Sequence, residues 1–206
     1  KHLYCIDASN KAIEVAKENL SKIRNCSFDC ASINTTDLKS DSMDFGYCLG
    51  VLHHLPKTKE ALSCCISKLK RGAPLLIYVY YSFDNKPFWY RLIWKVSDFG
   101  RKIISRLPFT LKVIISKFIA ICIYIPFAKG SLILEKIGFD VSNIPLSDYR
   151  KKDLYIIFTD ALDRFGTKLE KRFSKKEIYS MMNELGLKSI KFSNKTPYWV
   201  AIGYRK

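Results

Sequence analysis

The chain has 206 residues, 48% of them hydrophobic and 14% aromatic against 26% charged, a balance that excludes a disordered segment and leaves one ordinary domain able to bury a core. Lysine and arginine number 35 against 19 aspartates and glutamates, a formal net charge of +16. That charge favours an acidic partner such as RNA, a phosphorylated substrate or anionic headgroups, without choosing among them.

Seven cysteines, an odd number with no Cys-x-x-Cys pair, argue against a disulfide framework and a metal site; they fit buried thiols in a reducing cytoplasm. No initiator methionine or signal-peptide pattern opens the sequence, and His2 to Ile6 already read as a strand, so a chain cut at its start is expected. Asp7 follows, then Ser9 as helix cap and Ala12, Ile13, Val15, Ala16 and Leu20 at helical spacing. Ser27 to Ile33 read as a second strand and Met43 to Leu49 as a third, ending at Gly50. Thr58 to Lys70 form an amphipathic helix stopped by Gly72, and Pro74 to Tyr80 a continuous apolar strand, buried on both faces. This alternation predicts an α/β fold with a mostly parallel sheet.

From Ser82 to Phe173 no further βα unit is legible, and a mostly helical insertion is expected. Within it, Leu107 to Ala128 is apolar, but Lys112 and Lys117 interrupt it and Phe118 to Ala128 alone is too short to span a bilayer. A helix packed in the insertion or at a dimer interface is one reading, and peripheral membrane contact through 107–128 another. Ser174 and Glu177 make a capping box for a helix through Glu184, closed by Gly186. Leu187 to Ser193 and Tyr198 to Tyr204 read as an antiparallel hairpin joined by Asn-Lys-Thr-Pro. The domain reading is 1–81 as core, 82–173 as insertion and 174–206 as the helix and hairpin completing the core.

Four segments in this order, Leu3-Tyr-Cys-Ile-Asp-Ala-Ser9, Thr36-Asp-Leu38, Met43-Asp-Phe-Gly-Tyr-Cys-Leu-Gly-Val-Leu-His-His-Leu55 and Leu69-Lys-Arg-Gly72, resemble class I S-adenosylmethionine-dependent methyltransferases. The resemblance covers residues 1 to 80 well and 174 to 205 more loosely. It implies a Rossmann-like fold whose first βα unit, with its glycine-rich loop, is missing from this sequence; the chain has no Gly-x-Gly. It also departs from the family's Leu-Lys-Pro-Gly-Gly, having Leu69-Lys-Arg-Gly-Ala73.

Carried onto these residues, the resemblance implies that Asp7 accepts the ribose hydroxyls of S-adenosyl-L-methionine. Asp37 and Leu38 stand beside the adenine, with Asp29 and Asp41 near enough in sequence to compete and an Asx-type turn as the structural alternative for Asp37. Gly50 lets backbone approach the cofactor, or serves turn geometry alone. His53 and His54 are the catalytic candidates, either as a general base or as residues that pack and cap the next helix. Phe83, Phe88, Trp89, Tyr90 and Trp94 form a lid over the acceptor or the core of the insertion.

The expected function is methyl transfer from S-adenosyl-L-methionine to a small-molecule acceptor by a cytoplasmic enzyme, the fragment as given being inactive. The alternatives are an RNA methyltransferase, favoured by charge, a non-catalytic interaction module that keeps the fold, and a membrane-surface enzyme acting on a lipid or quinone.

Overall fold

Where apolar residues alternate or run together between turn residues, the chain extends; where they recur every three or four positions, it coils. The computed structural model, which describes residues 1–196 and 198–206, divides into two units, one of residues 1–81 with 171–206 and one of residues 82–170.

In the first unit β1 (Leu3–Ile6) pairs in parallel with β2 (Cys26–Asp29), joined by α1 (Asn10–Asn19). Ser9 caps α1 by accepting from the Ala12 N–H, and Ile13 is its buried residue. A second sheet holds β3 (Gly46–Leu49), β4 (Pro74–Tyr78), β5 (Leu187–Phe192) and β6 (Val200–Arg205) in the order β3-β4-β6-β5. β3 and β4 are parallel, and β6 runs antiparallel to both β4 and β5. No ladder among the described residues joins the two sheets. The core lies where α2 (Thr58–Lys68) and α7 (Lys175–Glu184) bring Leu62, Ile66, Ile178 and Met182 onto Leu75, Ile77 and Ala201. α7 begins with the capping box read from the sequence: the Ser174 N–H donates to Glu177 Oε2 at 2.7 Å, and the Glu177 N–H to Ser174 Oγ at 3.2 Å.

Three readings are corrected. Helix α2 ends at Lys68, and Leu69 is already extended; Gly72, at φ +80°, serves the turn into β4, where its N–H donates to the Arg205 carbonyl. The second strand stops at Asp29 rather than Ile33, because a turn at Ser32 to Thr36 takes over. β4 is fully buried only at alternate residues, Leu75 and Ile77, since α2 and α7 pack on that face while Leu76 and Tyr78 are half-buried on the other. In the hairpin joining β5 and β6, Pro197 lies outside the described residues.

The second unit is helical: α3 (Phe88–Ile104), α4 (Phe109–Ile119), a π-helical turn at Ala120–Tyr124, α5 (Ile125–Lys136) and α6 (Leu154–Gly166). The π turn joins α4 and α5 into one 28-residue helix, Phe109–Lys136. Along it Lys117 points outward and the Lys112 ammonium reaches the Gly166 carbonyl at 3.3 Å. Ala120 and Tyr124 bury against Ile157, Ala161 and Phe165 of α6.

Candidate functional site

In open α/β sheets ligands sit outside the carboxyl ends of the parallel strands, and in the first unit those ends carry most of the residues singled out in the sequence. β1 and β2 finish on adjacent aspartates, since Asp29 is paired with Ile6 and the Asp7 N–H donates to the Asp29 carbonyl at 3.2 Å. Asp7 Oδ1 accepts from the Ser9 N–H at 2.8 Å, an Asx turn that steers the chain into α1. Its other oxygen takes no hydrogen bond from the described residues.

Asp29 is engaged differently. Its Oδ2 accepts from the Thr36 hydroxyl at 2.6 Å, and the Thr36 oxygen in turn accepts from the Leu38 N–H at 3.4 Å. Asp29 therefore latches the loop that presents Asp37 and Leu38. Lys68 reaches the Leu38 carbonyl at 2.6 Å, and Arg205 pairs with Asp41 at 2.5 Å while donating to the Ser67 carbonyl at 3.2 Å. So fixed, the loop closes a groove of about 470 Å³ whose walls are Tyr4, Ile6, Phe28, Asp37, Leu38 and Met43. Asp37 is exposed there.

Asp7 is near enough to Cys48 of β3 to push its thiol upward. That push is outweighed: a hydrogen bond with the Cys65 thiol, the largest influence, leaves Cys48 below its ordinary value, and the same bond together with burial drives Cys65 upward. Two residues beyond Cys48, Gly50 turns at φ +76° with its N–H on the Tyr78 carbonyl at 3.0 Å. This backbone conformation strains any residue with a Cβ. A Cβ there would meet no heavy atom within 4 Å, so the space beside it is open.

His53 and His54 belong to a second cluster, in the 3-10 turn Leu52–His54. His53 is fully buried and stacked on Tyr80 at 3.8 Å. The Tyr80 N–H donates to its Nδ1 at 3.4 Å, which leaves the proton of the neutral ring on Nε2, where no partner is found among the described residues. Burial, then the neighbouring His54 and Arg172, hold its pKa down at about 3. His54 is half-buried, with its ring 5.8 Å from that of Tyr80.

Tyr80 and Arg172 were not found by sequence reasoning. The Arg172 guanidinium lies 5.1 Å from the centre of the Tyr80 ring and donates to the Tyr81 carbonyl at 3.2 Å. Lys171 and Phe173 bind the His53 and Tyr80 carbonyls through backbone N–H groups. This return of the chain across β4, from about ninety positions away, has no local signature. In the other unit Phe83 packs on Tyr90 and Trp94, with ring centres at 5.1 and 6.0 Å, whereas Phe88 and Trp89 are exposed.

Residues 1–77 match a family model described as a methyltransferase domain. Comparison with the curated proteins finds no match. Among solved structures, the chain is similar to one described as a possible exported protein from Bordetella parapertussis (TM-score 0.54, 12% identity), covering 99% of this chain and 53% of that one. It is also similar to a SAM-dependent methyltransferase, a possible histamine N-methyltransferase, from Thermotoga maritima (TM-score 0.50, 13% identity, 99% and 73% covered). A third similar structure is a SAM-dependent methyltransferase from Methanosarcina mazei (TM-score 0.50, 13% identity, 98% and 81% covered). The chain thus spans about half the length of the first of these, and at such identities the likeness shows the α/β, Rossmann-like fold.

Proposed function

We propose that the protein is a class I methyltransferase, an enzyme transferring a methyl group from S-adenosyl-L-methionine to a small-molecule acceptor, a reading supported by the match of residues 1–77 to a methyltransferase-domain model. The observation that carries the proposal is Asp7 at the tip of β1, beside a groove closed by Asp37 and Leu38.

The donor set fits a nucleoside. Asp7 has one carboxylate oxygen committed to Ser9 and one left to accept from a ribose hydroxyl. The exposed Asp37 carboxylate accepts from an exocyclic amine, and the Leu38 N–H, whose 3.4 Å bond to Thr36 is long, can turn to a ring nitrogen. Tyr4 and Phe28 supply apolar walls for a flat base. Gly50 keeps open space at the end of β3 for the rest of the cofactor. When bound, S-adenosyl-L-methionine supplies a methyl group already activated on a sulfonium. The protein's share is then to align the acceptor and exclude water.

Proton removal from the acceptor falls to His54 in this reading. His53 is buried, and a pKa of about 3 makes it a weak base; its part is to hold Tyr80 and the strand end in place.

The test is isothermal titration of S-adenosylhomocysteine into the full-length protein and its Asp7→Asn variant. Asparagine keeps an oxygen for the Ser9 N–H but loses the charged acceptor, so affinity should fall by about 2 kcal/mol, roughly thirtyfold. A folded protein that gives no binding heat overturns the proposal. Equal affinity of the two proteins removes Asp7 from it.

A further inference from the structure

Helix α3 of the second unit turns charged residues inward and apolar ones outward. The inward side of α3 carries Arg101, 4% exposed, and Asp98, paired at 2.7 Å; Arg164 of α6 joins them, 3.6 Å from Asp98 and 2.6 Å from the buried carboxylate of Glu170. The outward side carries Phe88, Leu92, Val96, Phe99 and Ile103, spaced four, four, three and four residues apart so that they form one stripe. Phe99 is 69% exposed. Arg91, Lys95 and Lys102, all exposed, each precede a member of that stripe and line its edge.

The Phe109–Lys136 helix repeats the pattern. It buries Ser116, Ala120, Tyr124, Ala128 and Ser131, and exposes Leu111, Ile114, Phe118, Ile121 and Phe127. By length and composition it could cross a bilayer, yet only 22% of its most apolar stretch is buried. Small residues inward and large apolar ones outward is how helices pack when their surroundings are lipid.

Charge decides the occupant. Between Phe88 and Lys136 there are nine lysines and arginines and two acidic residues, Asp98 and Glu135, a net charge of +7. A second copy would bring the same positive face against this one, whereas an anionic bilayer neutralises it while burying the aromatics. We propose that residues 88–136 dock on an anionic phospholipid membrane, with the exposed faces of α3 and of the Phe109–Lys136 helix lying in the plane of the headgroups. The helix does not span: α6, which packs along it, would carry Asp160, Asp163 and Arg164 into hydrocarbon with it. In addition, the eleven residues from Phe118 to Ala128, between Lys117 and Lys129, reach about 16 Å of a core about 30 Å thick. Lying flat, the two lysines extend their stems over the apolar surface and keep their ammonium groups among phosphates. This proposal does not rest on methyl transfer in the other unit.

Flotation of the whole protein with phosphatidylcholine vesicles, with and without phosphatidylserine, tests it. Binding should be about tenfold or more stronger to the vesicles with phosphatidylserine and weaken as salt rises. The Phe99→Ser/Phe118→Ser double variant should partition at least about tenfold less, with an unchanged circular dichroism spectrum. Should that variant fail to fold, Arg91→Glu/Lys95→Glu should abolish the preference for phosphatidylserine. Absence of flotation, flotation that neither variant alters, resistance to alkaline carbonate extraction as for a spanning helix, or a stable dimer without vesicle binding would each overturn the proposal.

Discussion

Burial, with His54 and Arg172 beside it, holds the His53 pKa at about 3, so its ring is neutral in the folded chain at any pH well above that value. In the unfolded chain it titrates near its usual value of about 6.5. Above that value neither state binds the proton, and its contribution to stability is fully present. As pH falls from about 6.5 towards 3 the unfolded chain takes up a proton that the folded one refuses, and stability drops by about 1.4 kcal/mol per pH unit. Urea unfolding of His53→Asn across this range should show a shallower pH dependence than the parent, by about one proton, despite lower stability at neutral pH; an identical slope would show that His53 is not the group responsible. At this scale the sequence disclosed the residue types but not their surroundings. Asp7 and Gly50 could be picked out because each sits where a strand ends, whereas Asp37, in the loop between β2 and β3, was reached only through the family resemblance. That one histidine of an adjacent pair is sealed under Tyr80 and the other is not depends on Lys171 and Arg172, which sequence distance hides.

Elements with chemical punctuation were legible to within a few residues: Ser9 before α1, and Ser174 with Glu177 before α7. α3 and the Phe109–Lys136 helix were not, because their apolar residues face outward and the expected inward stripe is occupied by Asp98, Arg101 and Ser116. Burial raises the Asp98 pKa, but Arg101, Lys102 and Arg164 more than offset this and hold it below its ordinary value. Its stabilising charge is therefore present above the usual carboxylate range near 4 and is lost as pH falls through its folded value. Asp98→Ala strands a buried guanidinium and should destabilise the chain by about 3 kcal/mol in chemical denaturation at neutral pH. A loss below about 0.5 kcal/mol would mean that the Thr167 and Lys168 carbonyls, at 2.9 and 3.2 Å from Arg101, suffice to hold it.

Over the whole molecule, the net charge of +16 was visible in the composition but its use was not; only the fold sorts the basic residues beside an exposed apolar stripe. The same holds for β6, where Arg205 reaches back to Asp41, Ser67 and Leu69. Asp41 is largely exposed, so solvent screens that pair, and Arg205→Ala should cost about 1 kcal/mol of stability. It should also weaken S-adenosylhomocysteine binding by loosening the loop that carries Asp37 and Leu38; unchanged affinity in titration would show that Lys68 and the Asp29–Thr36 latch suffice to secure the loop. This long-range tie has a consequence for biosynthesis. Residues 1–77 are made before residue 205, so in a nascent chain the clasp on the Thr36 to Met43 loop stays open, and the rim of the groove unfastened, until β6 has emerged.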